Sequence, residues 1–143
     1  LVHARWLTTL CYGAMMALAI GINLVPVFLT DLATSFGAAG VELTGEQLGR
    51  LGAVLFAGLV VGILATGPLA DRWGGKPFAL VGNALGAVAL LGAAFAPDYL
   101  WLGVALFALG LGAGILDMVL SPIVAALNPA RRAAAMNWLH SFY

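Results

Sequence analysis

The chain has 143 residues, 63% of them hydrophobic and 8% charged, with six Lys or Arg against six Asp or Glu. A soluble domain carries about a quarter charged residues, so this composition excludes an ordinary water-soluble globule and makes lipid the solvent for most of the chain. A net charge of zero gives no reason to expect nucleic acid as a partner, and the positions of the charges say more than their sum.

A helix crosses the hydrocarbon layer with about 20 apolar residues, and the sequence offers such runs in succession. Residues 6–30 are free of charge. Residues 48–70 follow with Arg50 near their start, then 77–96, then 100–127 interrupted only by Asp117, and 133–143 reads as the opening of another span. The runs are too long for barrel strands and lack their period-two alternation. The expectation is an all-α membrane protein with about four and a half transmembrane helices. Residues 6–30 exceed a signal-peptide core, and no small-residue cleavage site follows them. The chain begins at Leu1 rather than Met and stops at Tyr143 inside an apolar run, so it reads as a piece of a longer one. Cys11 is the lone cysteine; it cannot form an internal disulfide and reads as a small buried hydrophobe.

The connections alternate in charge. Residues 31–47 carry Asp31, Glu42 and Glu46, and the short 97–99 link carries Asp98. On the other side lie His3 and Arg5, then Arg72 and Lys76, then Arg131 and Arg132, so five of the six Lys and Arg share one side. The positive-inside rule assigns that side, and the N-terminus, to the cytoplasm. Arg50 is the exception and can pair with Glu46 one turn earlier. Trp6, Trp73, Tyr99 and Trp101 stand at span ends, as interfacial anchors do.

The stretch "GPLADRWGGKP" (residues 67–77) concentrates three charges between two uncharged spans. Gly67, Gly74 and Gly75 permit close backbone approach, and Pro77 suits the start of a helix. Read without further context, it is a cytoplasmic hairpin. Its residues Gly67, Asp71, Arg72, Gly74, Gly75 and Lys76 also resemble the G-x-L-A-D-R-x-G-R-K signature of the major facilitator superfamily, which lies between transmembrane helices two and three. Gly75 stands where that family usually has arginine. The resemblance implies the N-terminal helical half of that fold, with a C-terminal half still to come. It further implies that Asp71 caps a helix N-terminus in the opposite half, with Arg72 and Lys76 completing a gate; such a cap contributes up to about 2 kcal/mol.

Asp117 is the most informative single residue. A charge near the bilayer centre costs at least about 2.5–3.5 kcal/mol, which makes it a functional candidate by default. Helical spacing puts it on one stripe with Gly103, Gly110, Gly114 and Ser121, where glycines let a neighbouring helix approach. One reading is a protonated carboxyl bonded to another helix. The other is a carboxyl that takes up and releases a proton, because desolvation opposes its charge. In span one, Gly21, Asn23 and Pro26 faintly echo Gly114, Asp117 and Pro122, as repeated helix triplets would. Rise per residue separates Asn23 from Asp117 along the membrane normal, so no direct bond between them is expected.

"GLGAGILDMVLSP" (110–122) followed by "AAAMNWLHSFY" (133–143) resembles the fucose:proton symporter group within the same superfamily. The matching residues are Asp117, Ser121, Pro122, Asn137, Leu139, His140, Phe142 and Tyr143. That resemblance implies proton-coupled sugar recognition by Asp117, although no acidic residue occupies 6–30 and Ser121 stands where asparagine is common. Histidine as a residue type titrates near physiological pH, which makes His140 a candidate proton relay; the alternative is a hydrogen bond pinning helix five to its neighbours. Met136 and Trp138 read as packing residues.

The expected function is therefore a secondary transporter of a small polar solute, a sugar or related metabolite, coupled to protons and seated in the cell membrane. An efflux antiporter for amphipathic compounds is the rival within the class, and a non-transporting receptor or scaffold on the same fold lies outside it. No H-E-x-x-H, G-x-S-x-G or phosphate-binding loop is present, so no enzyme, metal or cofactor is expected.

Overall fold

In lipid a chain can satisfy its backbone within one segment only as helix. The computed structural model, which describes residues 2–37 and 41–142, is helical along most of them. In chain order the helices are α1 (Val2–Val27), α2 (Leu29–Ser35), α3 (Gly45–Trp73), α4 (Gly75–Ala94), α5 (Tyr99–Leu127) and, after a 3-10 turn at Pro129–Arg131, α6 (Arg132–His140). Helices α1, α3, α4 and α5 are long and apolar enough to cross a membrane.

The ends of these helices have local causes. The first apolar run does not stay helical to residue 30: the backbone leaves the helix at Phe28 (φ −104°, ψ 23°), two residues after Pro26, and α2 resumes as a short separate piece. Helix α3 starts before residue 48 because Thr44 caps it. The Thr44 hydroxyl accepts from the Gln47 backbone N–H, and the Gln47 side chain takes the Thr44 N–H at 2.9 Å, a reciprocal capping box. It also runs past residue 70, so Gly67, Asp71 and Arg72 are helical rather than part of a turn. The reversal into α4 takes place at Gly74 (φ 78°, ψ 159°), a conformation that belongs almost wholly to glycine. Pro77 then falls in the first turn of α4, where its missing N–H would have had no partner. Asp98 caps α5 by accepting the Trp101 N–H at 2.8 Å.

Helix α5 is the centre of the bundle, buried along most of its length. Helix α3 lies parallel to it, with Leu51 beside Gly103 and Gly67 beside Met118. Helix α4 runs antiparallel on another side, from Gly75 at Ile123 to Gly92 at Ala105. Helix α1 is antiparallel as well, with Gly21 at Leu109 and Thr8 bonded to Asn128. One end of the bundle thus gathers Arg5, Arg72, Lys76, Arg131 and Arg132, all exposed, and the other gathers Asp31, Glu42, Glu46 and Asp98. The Arg50–Glu46 pair bridges one turn of α3 at the acidic end.

Candidate functional site

The stripe that carries Asp117 is built on a seam between two backbones. A methyl group added at Gly110 would overlap the Leu55 carbonyl oxygen, and one at Gly114 the Leu59 carbonyl oxygen. Across the seam, a methyl at Gly58 would overlap the Phe107 carbonyl, and one at Gly62 would lie 2.5 Å from that of Leu111. Two helices carrying side chains at these positions could not lie this close, so the glycines fix the α3–α5 separation. A methyl at Gly103, toward the acidic end, would meet Leu51 Cδ2 only at 4.0 Å, an ordinary contact.

Asp117 lies on α5 beside this seam, one turn past Gly114, and is partly buried. Among the described residues its carboxylate forms no hydrogen bond or ion pair. One turn further, Ser121 Oγ lies 3.2 Å from His140 Nε2 on α6. Ser121 thus lies one turn nearer the basic end than Asp117, and His140 reaches it from the far end of α6. Asn137, one turn before His140, is exposed and makes no side-chain bond among the described residues. Trp138 is 65% exposed, so it faces outward instead of packing, whereas Met136 lies against the core. Tyr143 lies outside the described residues.

Asn23 is elsewhere. Its amide Nδ2 donates to the Ala19 carbonyl at 2.8 Å, one turn back on its own helix. With Gly21 level with Leu109, Asn23 and Asp117 are separated by roughly 15 Å along the bundle axis. Asn23 instead borders a cleft of about 470 Å³ between α1 and α3, walled by Ile22, Val25, Leu48, Leu55 and Phe56. Among the described residues, Asn23 is the one polar side chain on that lining. Cys11, at the opposite end of α1, is half-buried against the core rather than fully enclosed.

At the basic end, Asp71, Arg72 and Lys76 are all exposed. The Arg72 guanidinium lies 5.9 Å from the Trp73 ring centroid, and Trp73 stacks on Phe78 at 6.3 Å. Among the described residues neither Arg72 nor Lys76 pairs with Asp71. Asp71 sits in the last turns of α3, where the helix dipole disfavours a negative charge. Its carboxylate is therefore available to a group with the opposite preference. A methyl at Gly67 would lie 3.3 Å from Met118 Cε and one at Gly75 3.2 Å from Ile123 Cδ1, tight contacts that a small shift of those side-chain ends would relieve.

Sequence reasoning passed over one polar cluster. Asn128 Nδ2 donates to Thr8 Oγ1 at 2.9 Å and to the Val124 carbonyl at 3.0 Å, and the Tyr12 hydroxyl donates to the Ala135 carbonyl at 3.1 Å. The available signal was a hydroxyl pair at i, i+4 inside an apolar run, together with Asn-Pro at the end of a span. No group of three His, Cys, Asp or Glu side chains converges as metal ligands among the described residues.

Comparison with known proteins places this geometry in context. The family model for the Major Facilitator Superfamily matches residues 6–143. The chain is 34% identical over 131 residues to multidrug resistance protein MdtL of Shewanella sp. (strain ANA-3), a match covering 91% of the chain and 32% of that protein. MdtL of Shewanella oneidensis is 33% identical over 130 residues, with 90% and 32% covered. Synaptic vesicle glycoprotein 2A of Rattus norvegicus is 27% identical over 146 residues, with 99% and 19% covered. The chain thus spans about a third of the MdtL proteins (32%). No solved structure gives a significant match.

Proposed function

The chain belongs to the Major Facilitator Superfamily, and from that premise we propose that it serves in a secondary transporter extruding small amphipathic compounds in exchange for protons. The observation that carries the substrate class is the open α1–α3 cleft, whose lining among the described residues is apolar apart from the Asn23 amide. Such a lining binds an apolar body and orients it through one hydrogen bond. The relationship to proteins named for multidrug resistance points the same way.

In this reading the basic end faces the cytoplasm of the cell membrane, as positive charges direct. The other wall of the path comes from a C-terminal half of the same polypeptide, for which the greater length of the relatives leaves room. Asp117 binds a proton while the path is open to the outside and releases it once the halves have rocked to the inside, so each turnover exchanges solute for protons. Asp117 has no hydrogen-bond or ion-pair partner among the described residues, which leaves its carboxyl free to serve as that proton site. Asp71 latches the cytoplasmic side by meeting a helix N-terminus of the other half.

A second reading, proton-coupled sugar uptake, is favoured by the Ser121–His140 pair one turn from Asp117. Those are donors and acceptors suited to hydroxyl groups. The two readings separate in inside-out vesicles holding the full-length protein, energised by a proton gradient. Efflux predicts gradient-driven accumulation of a lipophilic fluorescent dye and none of a radiolabelled hexose. Proton-coupled uptake predicts instead no accumulation of the dye and gradient-driven expulsion of a preloaded radiolabelled hexose, and that pattern would replace the first reading by the second.

A further inference from the structure

Along Arg132–His140, helix α6 buries Ala135 and Leu139. Two adjacent turns of α1 grip the joint through which α6 leaves α5. Thr8, 8% exposed, has a fully committed hydroxyl: it donates to the Ala4 carbonyl at 2.9 Å and accepts from Asn128 at 2.9 Å. Asn128 spends its other amide proton on the Val124 carbonyl at 3.0 Å, closing the end of α5. One turn along α1, the Tyr12 hydroxyl reaches Ala135 in the first turn of α6, and its ring lies 6.3 Å from that of Phe142.

We infer that Thr8, Tyr12 and Asn128 are positioning residues that set the register of α6 and thereby hold His140 against Ser121. Asn128 fixes where the chain leaves α5, and Tyr12 fixes the rotation of α6 a turn later. His140 lies beyond both pins, so its 3.2 Å approach to Ser121 is the consequence of two bonds that it does not itself make. In a membrane such pins count because an unsatisfied hydroxyl or amide has no water to turn to. The inference deepens the transport reading, resting on it only for the claim that Ser121 and His140 lie on the solute or proton route.

The test is the ring-nitrogen resonance of His140 in the isotope-labelled full-length protein in lipid bilayers, assigned by its loss in His140→Gln. Ser121→Ala defines the displacement of Nε2 when its partner is gone. Tyr12→Phe combined with Asn128→Ala is expected to displace Nε2 by the same amount, with no further change when Ser121→Ala is added, because coupled residues are not additive. A resonance unmoved in Tyr12→Phe/Asn128→Ala overturns the inference. Should that pair not assemble, Tyr12→Phe decides alone: it deletes one hydroxyl and keeps the ring beside Phe142, and a displaced signal supports the inference where an unmoved one overturns it. Transport by the same variants is read separately. A displaced resonance with an unchanged pH profile of transport leaves the pinning intact and removes His140 from the proton route.

Discussion

Helix α5 is held in two different ways along its two working faces. Toward α3 it is held by backbone proximity: Gly110 and Gly114 meet the carbonyls of Leu55 and Leu59 with no room for a methyl group. Toward α1 and α6 it is held at its basic end by two directed bonds, from Asn128 to Thr8 and from Ser121 to His140, with a third, from Tyr12 to Ala135, tying α1 to α6. The first arrangement tolerates no adjustment, since dense packing converts any added volume into strain. The second can shift by exchanging hydrogen-bond partners. Asp117 stands where the two meet, on a rigid helix face that ends in an adjustable joint. The proton-carrying role proposed for Asp117 would be well served by that combination.

The contrast can be broken by substitution. Gly110→Ala and Gly114→Ala should be the most damaging, lowering stability by about 1–3 kcal/mol or more through forced separation of α3 and α5. The check is thermal unfolding in detergent, with Gly13→Ala as control. Gly13 has open space where its Cβ would be, and that change should be neutral or stabilise by up to about 1 kcal/mol. If both kinds of glycine responded alike, the seam would not be what sets the α3–α5 distance. Gly74→Ala comes next: at φ 78° and ψ 159° an alanine should cost about 1–3 kcal/mol, seen in the same melts and in hydrogen exchange confined to the ends of α3 and α4. Thr44→Ala removes the capping box and should cost about 1 kcal/mol. Arg50→Gln is the smallest. Its pair with Glu46 is exposed on both sides (68% and 73%), so the loss should stay under about 0.5 kcal/mol and vanish at high salt.

Much of this architecture was legible in the sequence because lipid leaves so few options. Charge-free runs of span length gave the four long helices, and the spacing of Glu46 and Arg50 gave their ion pair. The stripe of Gly110, Gly114, Asp117 and Ser121 follows from helical periodicity alone, although which helix it faces does not. The His140 hydrogen bond was one of two open readings; its partner Ser121 could not be read, since the two lie nineteen positions apart on different helices. Helix ends were misplaced where caps and punctuation outweighed hydropathy, at Thr44 and at Phe28 after Pro26. The charged stretch at 67–77 looked like a glycine-rich turn, yet Gly74 alone makes the reversal, because Gly67 lies inside α3 and Gly75 opens α4. Trp138 was read as packing from its apolar neighbours, and its outward position depends on a helix rotation that sequence does not specify. The Thr8–Asn128 bond joins residues 120 positions apart and needed the fold to become visible.

The most direct test of the central claim is proton-gradient-driven transport by Asp117→Asn in proteoliposomes of the full-length protein. The amide keeps the shape of the carboxyl and removes its proton chemistry, so the variant should assemble as well as the parent. Dye movement down its own gradient should persist, while acceleration by an imposed proton gradient should be lost. If Asp117→Asn still couples dye movement to the proton gradient at the parent's rate, Asp117 is not the proton carrier and the mechanism proposed for this bundle is wrong.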